Sequence, residues 1–352
     1  SKYLRNGSGL FRLQSSLFQN PDARIVLDQM QAASLLGTSA VSPRGIVNGD
    51  NEMWTKYIWE VGQEVRWRPL QDAVTTHELY AGRSRVIDWS TNGRGMLRPG
   101  LANVAYGRPG VAVSRMSNLA CTLYTGELYD QNTAVIVPAN PDQVGALWTY
   151  CTSGQFLESV RAIDQNLNVT PATLLKVPFC LPEWGSEANR RWPEGLPEPE
   201  SDDPTQWLFH GRPEASINPL HVGIARLVAY CWPIERDPTV RASSRAHELS
   251  AKCDELSQYA DADGIVCLPP VAGERPGADR LLELLAAAYG DAWSQSVLDG
   301  LLFGEGTSDL ATWLRDGFFS SHCKLFHHRP FIWHIWDGRK DGFSALVNYH
   351  KL

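Results

Sequence analysis

The sequence lacks any long hydrophobic run. Its 352 residues contain no apolar stretch of about 18 residues, the length that a membrane-spanning helix requires. The amino-terminal residues also lack an apolar core followed by small residues, the pattern of a signal peptide. We therefore expect no membrane span and no signal peptide, and we expect the protein to act in the cytoplasm.

The cysteines show no paired spacing, and a Gly-x-Ser-x-Gly segment typical of a hydrolase nucleophile is missing as well. The seven cysteines are Cys121, Cys151, Cys180, Cys231, Cys253, Cys267 and Cys323. An odd number of scattered cysteines argues against a disulfide framework and favours a reduced intracellular protein.

Charge is distributed unevenly along the chain, whose net charge is −7. Residues 1–180 hold 16 Lys and Arg against 14 Asp and Glu, whereas residues 181–352 hold 16 against 25. Any polyanionic partner should therefore contact the first half. Within residues 83–115, six arginines stand against one acidic residue, Asp88. Arginine favours planar, bidentate contacts to phosphate or guanine, and a solvated loop is the alternative interpretation.

The periodicity of the apolar residues predicts a mixed α/β (α+β) protein. Strands are predicted at 85–89, 110–114, 133–137 and 172–177 from their β-branched residues. Helices are predicted at 141–150, 153–167, 219–232, 242–259, 278–289, 294–302 and 308–319 from apolar residues at three- and four-residue steps. Pro233, Gly290 and Gly317 are expected to stop helices.

Four regions follow from these patterns. Residues 1–40 are predicted to be a helical connector, and residues 41–182 a β-rich recognition domain with long loops. Residues 183–205 are acidic and proline-rich, which predicts a linker. Residues 206–352 are predicted to form a mainly helical domain that ends in an aromatic β-hairpin.

Residues 322–352 are rich in histidine, aromatic and basic side chains. They alternate on both sides of the polar segment 337–342, which predicts the hairpin. The segment begins with His322-Cys323-Lys324-Leu325-Phe326-His327-His328-Arg329-Pro330-Phe331-Ile332-Trp333-His334-Ile335-Trp336 and ends at Leu352. This tail resembles the carboxyl-terminal signature of large adenine-N6 DNA methyltransferases from bacterial phage-defence and fused restriction-modification systems. Segments 45–51, 107–116, 123–136 and 161–170 are similar to the target-recognition region of that family.

The resemblance implies that DNA recognition and methyl transfer are carried out by separate domains. In that family a separate catalytic domain transfers methyl from S-adenosylmethionine to an adenine turned out of the duplex. This sequence has no Asn/Asp-Pro-Pro-aromatic motif, and Gly304-Glu305-Gly306-Thr307 lacks the third glycine of a cofactor loop. We therefore expect no cofactor in this chain, with double-stranded DNA and the catalytic domain, in cis or in trans, as partners. The start at Ser1, without Met, is what we expect of an excised fragment or of residues left by a removed tag.

The candidate DNA-binding side chains are arginines for guanine, amides for adenine, and cations for phosphate. They are Arg83, Arg85, Arg108, Arg115, Asn118, Gln131, Asn132, Lys56, Arg66 and Arg68. Gly107, Gly110 and Gly126 would allow close approach of the backbone to a phosphate. A structural role is the alternative at several positions, because Asn132 can cap a turn and Arg108 can bind loop carbonyls.

Two other function classes remain open. His322, His327 and His328, with Cys323, suggest a metal-dependent nuclease, although their spacing is poor for zinc and we expect no metal. The aromatic tail and the acidic second half suggest instead a protein-binding adaptor.

Overall fold

The computed structural model describes residues 34–352 except Gln63, Val65, Pro238, Lys340 and Asp341. Most of the predicted connector at 1–40 lies outside the described residues. The strands are β1 Ala40–Val41, β2 Thr55–Tyr57, β3 Trp67–Gln71, β4 Arg85–Asp88, β5 Gly110–Ser114, β6 Cys121–Tyr124, β7 Leu128–Tyr129, β8 Thr133–Pro138, β9 Ile265–Cys267, β10 Ile332–Trp336 and β11 Ser344–Asn348. The mixed α/β class is confirmed.

The helices lie mainly in the second half of the chain. They are α1 Asn51–Trp54, α2 Val144–Cys151, α3 Gly154–Ile163, α4 Pro171–Leu174, α5 Leu181–Arg191, α6 Pro219–Leu227, α7 Pro233–Arg236, α8 Ser244–Ala251, α9 Gly277–Tyr289, α10 Gln295–Gly304, α11 Leu310–Thr312 and α12 Phe318–Leu325. No helix of the described residues is long and apolar enough to cross a membrane.

The chain forms two compact units that alternate along the sequence. Unit 1 comprises residues 1–49, 71–82 and 92–197, and unit 2 comprises residues 50–70, 83–91 and 198–352. The last boundary falls inside the predicted linker 183–205. Residues 50–70 and 83–91 therefore belong to unit 2, together with the carboxyl-terminal residues 198–352. Sequence patterns do not reveal this assignment.

Unit 1 is built on a four-stranded antiparallel sheet of order β1-β8-β5-β6. Side chains alternate across it, so that Val111, Val113 and Ile136 face α2, α3 and α5 in one core. Ala112 and Val135 face the opposite way, into a smaller core with Ala105, Tyr124 and Tyr129. A sheet buried on both faces explains why β5 and β8 are almost continuously apolar.

Unit 2 holds two small sheets and the later helices. Strands β2, β4 and β3 pair antiparallel in that order, and β10, β11 and β9 form the second sheet. The predicted carboxyl-terminal hairpin is confirmed, with Ile332 opposite Asn348 and Trp336 opposite Ser344. Leu281, Leu284 and Leu285 of α9 are buried where this helix packs against α6.

Several local predictions were wrong. Residues 172–177 form the end of α4 and a turn rather than a strand, because Thr170 caps the helix amino terminus and Pro171 starts it. The linker prediction missed α5, whose apolar side buries Trp184 while Glu187 pairs with Arg190 and Arg191.

Two further predictions, at Gly317 and at β6, also differ from the structure. Gly317 does not end the helix, since a π-helical turn at Trp313–Gly317 continues into α12. Strand β6 was missed.

Buried histidines make the stability of unit 2 sensitive to pH. Burial lowers the pKa of both His210 and His221 to about 4, and burial also lowers the pKa of His322. A carboxylate of Glu305 lies 3.6 Å from His221 Nε2, yet burial dominates.

On acidification the unfolded chain takes up protons near pH 6.5, where the folded histidines do not. The free energy of unfolding should therefore fall between pH 6.5 and about pH 4, by about 3 kcal/mol for each of His210 and His221. Urea unfolding across this range measures the slope. Replacing His221 by Gln should make the slope shallower, and an unchanged slope would contradict the assignment.

Candidate nucleic-acid interface

The clearest candidate surface in unit 1 is a long loop, residues 92–109, which we call the arginine loop. It contains Arg94, Arg98 and Arg108, and residues 92–115 include no acidic residue. Arg94 and Arg98 are exposed. Leu97 and Leu101 are 73% and 64% exposed. The loop therefore presents both guanidinium groups and apolar side chains outward.

Hydrogen bonds fix the arginine loop to the rest of unit 1. The backbones of Val47 and Arg98 exchange two hydrogen bonds of 2.9 Å. The Asn103 amide donates to the carbonyl oxygen of Arg44 at 3.1 Å and to the Tyr129 hydroxyl at 2.9 Å. Tyr129, fully buried, donates in turn to the Pro43 carbonyl oxygen at 2.9 Å. These bonds order the loop, and none of them involves the guanidinium group of Arg98.

The end of the loop depends on two glycines that approach each other closely. Gly107 N–H donates to Gly126 O at 2.9 Å. A Cβ on Gly126, whose φ is +117°, would lie 2.8 Å from Gly107 Cα. These glycines thus serve loop packing, and the packing accounts for them without a phosphate contact.

Arg115 is a structural residue directly after the end of β5. Its side chain donates to the carbonyl oxygens of Val169, at 2.8 Å, and of Gln131. Burial and the neighbouring positive charge of Arg44 lower the pKa of Arg115. Arg44 is exposed and donates weakly, at 3.4 Å, to the Gln131 side-chain oxygen. The structure therefore brings Arg115, Gln131 and Arg44 together, with Arg44 outermost.

Arg108 lies far from Arg115, because the two residues flank opposite ends of β5. Six residues lie between them, five of which form β5, so the two arginines are about 20 Å apart. Arg108 Nη2 donates to Pro138 O at 2.7 Å, which matches the loop-fixing interpretation. The two arginines do not form one local cluster.

The two candidate asparagines have intramolecular partners. Asn132 donates from its backbone and side-chain nitrogens to Asp130, at 2.9 and 2.7 Å, and thereby closes a turn. The Asn118 amide donates to Thr75 O at 3.0 Å. Both side chains are exposed, so their remaining hydrogen-bonding groups face solvent.

Unit 2 contains the other five candidates. Arg83 is fully buried, with its guanidinium carbon 5.4 Å from the Trp207 ring, and in this fold it presents nothing to a ligand. Arg85 lies 5.1 Å over the Tyr57 ring. The burial of Arg83 has no signal in the sequence, because arginines are mostly exposed in folded proteins.

The remaining candidates of unit 2 are more accessible. Arg66 pairs with Glu64 at 2.7 Å and approaches Asp88 at 3.7 Å, so its charge is largely neutralised. Lys56 Nζ donates to Glu52 O at 3.0 Å. Arg68 is exposed and makes no side-chain hydrogen bond to any residue that the structure describes.

The carboxyl-terminal histidines are dispersed in the packing of unit 2. His322 is fully buried and accepts a hydrogen bond from Ile332 N at 3.3 Å, whereas His327 stacks on Tyr57 with ring centroids 5.0 Å apart. Among the described residues, no three His, Cys, Asp or Glu side chains are placed to hold a metal ion. The structure therefore gives the nuclease interpretation no support.

Sequence reasoning missed Arg44 and Asn103 and did not single out Arg94 and Arg98. These residues come together because segments that are distant in sequence meet, through the bridge between residues 47 and 98 and the hydrogen bond from Asn103 to Arg44 O. No protein-family model matches the sequence, and a search of curated proteins finds no match. The resemblance to adenine-N6 methyltransferases remains a prediction.

The buried Tyr129 hydroxyl should be important for ordering the arginine loop. Replacing Tyr129 by Phe leaves the Pro43 carbonyl and the Asn103 amide each without one partner, which should lower the free energy of unfolding by about 1–3 kcal/mol. Tyr106→Phe is a matched control, because among the described residues no group lies in normal hydrogen-bond geometry to the buried Tyr106 hydroxyl. Urea unfolding of both variants measures the difference. Equal effects would show that Tyr129 does not order the loop through its hydroxyl.

Proposed function

We propose that this chain recognises the DNA target site for an adenine-N6 DNA methyltransferase of a phage-defence or restriction-modification system. The arginine loop carries the proposal. It is an ordered, acid-free loop that displays arginines on a surface of unit 1. The catalytic domain would be supplied in cis or in trans, with its own S-adenosylmethionine.

The side chains at this surface suit the two kinds of contact that DNA recognition needs. Arg44, Arg94 and Arg98 can neutralise phosphates or bind the O6 and N7 atoms of guanine. The amide of Gln131, beside Arg44, can bind adenine. A loop held by hydrogen bonds loses little conformational entropy when it binds, which favours specific readout.

The exposed leucines of the loop fit the same proposal. Proteins that distort DNA often insert apolar side chains between base steps in the minor groove. Leu97 and Leu101 flank Arg98 and are largely exposed. Local unstacking by such side chains would assist an enzyme that must turn an adenine out of the duplex.

Removing the two exposed charges of the loop should weaken DNA binding and its salt dependence. For the double variant Arg94→Gln/Arg98→Gln we expect the slope of log K against log salt to become shallower by about 2 if both side chains contact phosphate. Affinity at low salt should fall by about tenfold or more. Fluorescence anisotropy with a duplex library at several salt concentrations provides both quantities.

Arg190→Gln/Arg191→Gln is the matched control. These arginines lie on α5, which packs on the opposite face of the sheet from the core of Ala105 and Tyr129. The control removes the same charge and should leave the slope unchanged. Equal loss in both variants would indicate nonspecific attraction, and no binding of duplex by the wild-type chain would refute DNA recognition.

A second candidate function, docking of a partner protein, is favoured by the terminal hairpin. Strand β10 is at the edge of its sheet, and Trp333, Ile335 and Trp336 are 48%, 49% and 57% exposed. Exposed tryptophans beside an edge strand are typical of protein interfaces. The methyltransferase catalytic domain is the partner that the main proposal requires.

Replacing Trp333 and Ile335 by Thr should test this docking surface. Threonine keeps the β propensity while removing the apolar area. With the catalytic domain as immobilised bait, we expect binding by the variant to fall by about tenfold or more, with unchanged duplex affinity. Unchanged capture of the catalytic domain would exclude the hairpin as its docking site.

A further inference from the structure

Unit 2 contains a cavity that none of the functions considered so far uses. Its volume is about 750 Å³, within the range of small-molecule sites. Its lining includes residues 67–69 of β3, residues between Ala229 and Asp237 that include part of α7, and the carboxyl-terminal residues Asn348, His350 and Lys351. These three stretches, which are distant in sequence, meet around one space, and Ile58, Val61, Gly62, Glu64, Val86, Trp207 and Val240 complete the described lining.

Three cations line this cavity, one from each stretch: Arg68, Arg236 and Lys351. Within the described part of the chain, none of their side chains makes a hydrogen bond or an ion pair. Arg236 lies close enough to Tyr230 for its positive charge to oppose the rise in the Tyr230 pKa that burial causes. Unpaired cations from three directions favour an anionic ligand.

The acidic residues at the cavity, Glu64 and Asp237, already have partners within the protein. Glu64 forms its ion pair with Arg66 at 2.7 Å. Asp237 accepts hydrogen bonds from the backbone and hydroxyl of Thr239, at 2.9 and 2.6 Å. The lining therefore offers unpaired positive charge, while its carboxylates are held by neighbours.

Aromatic side chains form part of the same lining. Trp67 and Trp207 contribute indole rings, and Tyr230 contributes a phenol ring that is 8% exposed. Aromatic surface binds a nucleobase by stacking, at about 1–3 kcal/mol per base. Cations and aromatics in one cavity of this size match a ligand with a flat ring and a phosphate.

The backbone at this cavity is strained. Ala229 has a φ of +55° at the end of α6, where the Ala229 and Tyr230 N–H groups bond back to Arg226 and Ala225. Glycine is usual at such a helix end. The reversal places Tyr230 and Cys231 at the cavity.

We propose that this cavity binds a single nucleotide unit, with its base against Trp67 and its phosphate held by Arg68, Arg236 and Lys351. The nucleotide can be a free nucleoside phosphate or an unstacked nucleotide of a DNA strand, since both have the same chemistry. The site lies within unit 2 and does not depend on DNA recognition by the arginine loop of unit 1.

Titration of the whole chain with dAMP, dGMP, dCMP and TMP tests the proposal. Quenching of tryptophan fluorescence and calorimetric heat report binding, because Trp67 and Trp207 line the cavity. A short single strand and a duplex form two further arms. Saturable binding of mononucleotides indicates a free-nucleotide site, whereas binding of the single strand alone indicates a strand-borne nucleotide.

Arg68→Glu and Arg236→Glu should each weaken binding by about tenfold or more, with folding unchanged because both side chains are exposed. Arg339→Glu, an exposed charge reversal on the hairpin of unit 2, is the matched control. Inorganic phosphate should compete only weakly. Thermal unfolding verifies that each variant is folded.

Three results would overturn the proposal. The first is no saturable binding of any mononucleotide or single strand at millimolar concentration. The second is equal weakening by Arg339→Glu, and the third is binding that phosphate displaces as well as the nucleotide does. Arg94→Gln/Arg98→Gln should leave mononucleotide affinity unchanged, so failure of DNA recognition and failure of this site are distinguishable.

Discussion

A buried guanidinium holds unit 2 together. Arg226 pairs with Glu235 at 2.6 Å, donates to Gly211 O at 2.8 and 2.9 Å, and lies 5.0 Å over the Trp232 ring. Because a buried charge is costly unless it is paired and hydrogen-bonded, these partners must stay together. Gly211, with a φ of +87°, is required, since a Cβ there would collide with the guanidinium. Glu235 also accepts from Trp232 N, which fixes the start of α7 and hence the place of Arg236 at the cavity.

In unit 1, an uncharged buried group connects segments that are distant in sequence. The phenol of Tyr129 connects the Pro43 carbonyl with the Asn103 amide, and burial raises the Tyr129 pKa to about 12, so the hydroxyl stays protonated and can donate. The arginine loop is thus ordered in part by uncharged hydrogen bonds, while the Arg98 side chain is exposed. This arrangement suits a surface that binds a polyanion, because the hydrogen bonds of Tyr129 and Asn103 do not involve the guanidinium of Arg98.

Sequence reasoning succeeded where local pattern determines structure. The β-branched runs of β4, β5 and β8 and the alternating tail were read correctly, because burial of one or both faces requires those residues. It failed where a residue's role depends on distant partners. Arg83 and Arg115 look like surface cations in the sequence, yet one is buried beside Trp207 and the other binds the carbonyls of Val169 and Gln131. Neither the pairing of residue 47 with 98 nor the cavity that Arg68, Arg236 and Lys351 line has a local signature.

The alternation of the two units along the chain has a consequence for any attempt to dissect the protein. The polypeptide passes from one unit to the other five times, so no single cut yields either unit complete. A fragment that stops at Pro197 would retain the paired strands β2, β4 and β3 but lose the rest of unit 2, which begins at Glu198. The buried Trp59 would lose the Arg329 carbonyl to which it donates, and apolar surface exposed in this way favours aggregation. Isolating either half therefore requires re-joining its segments with new short connections.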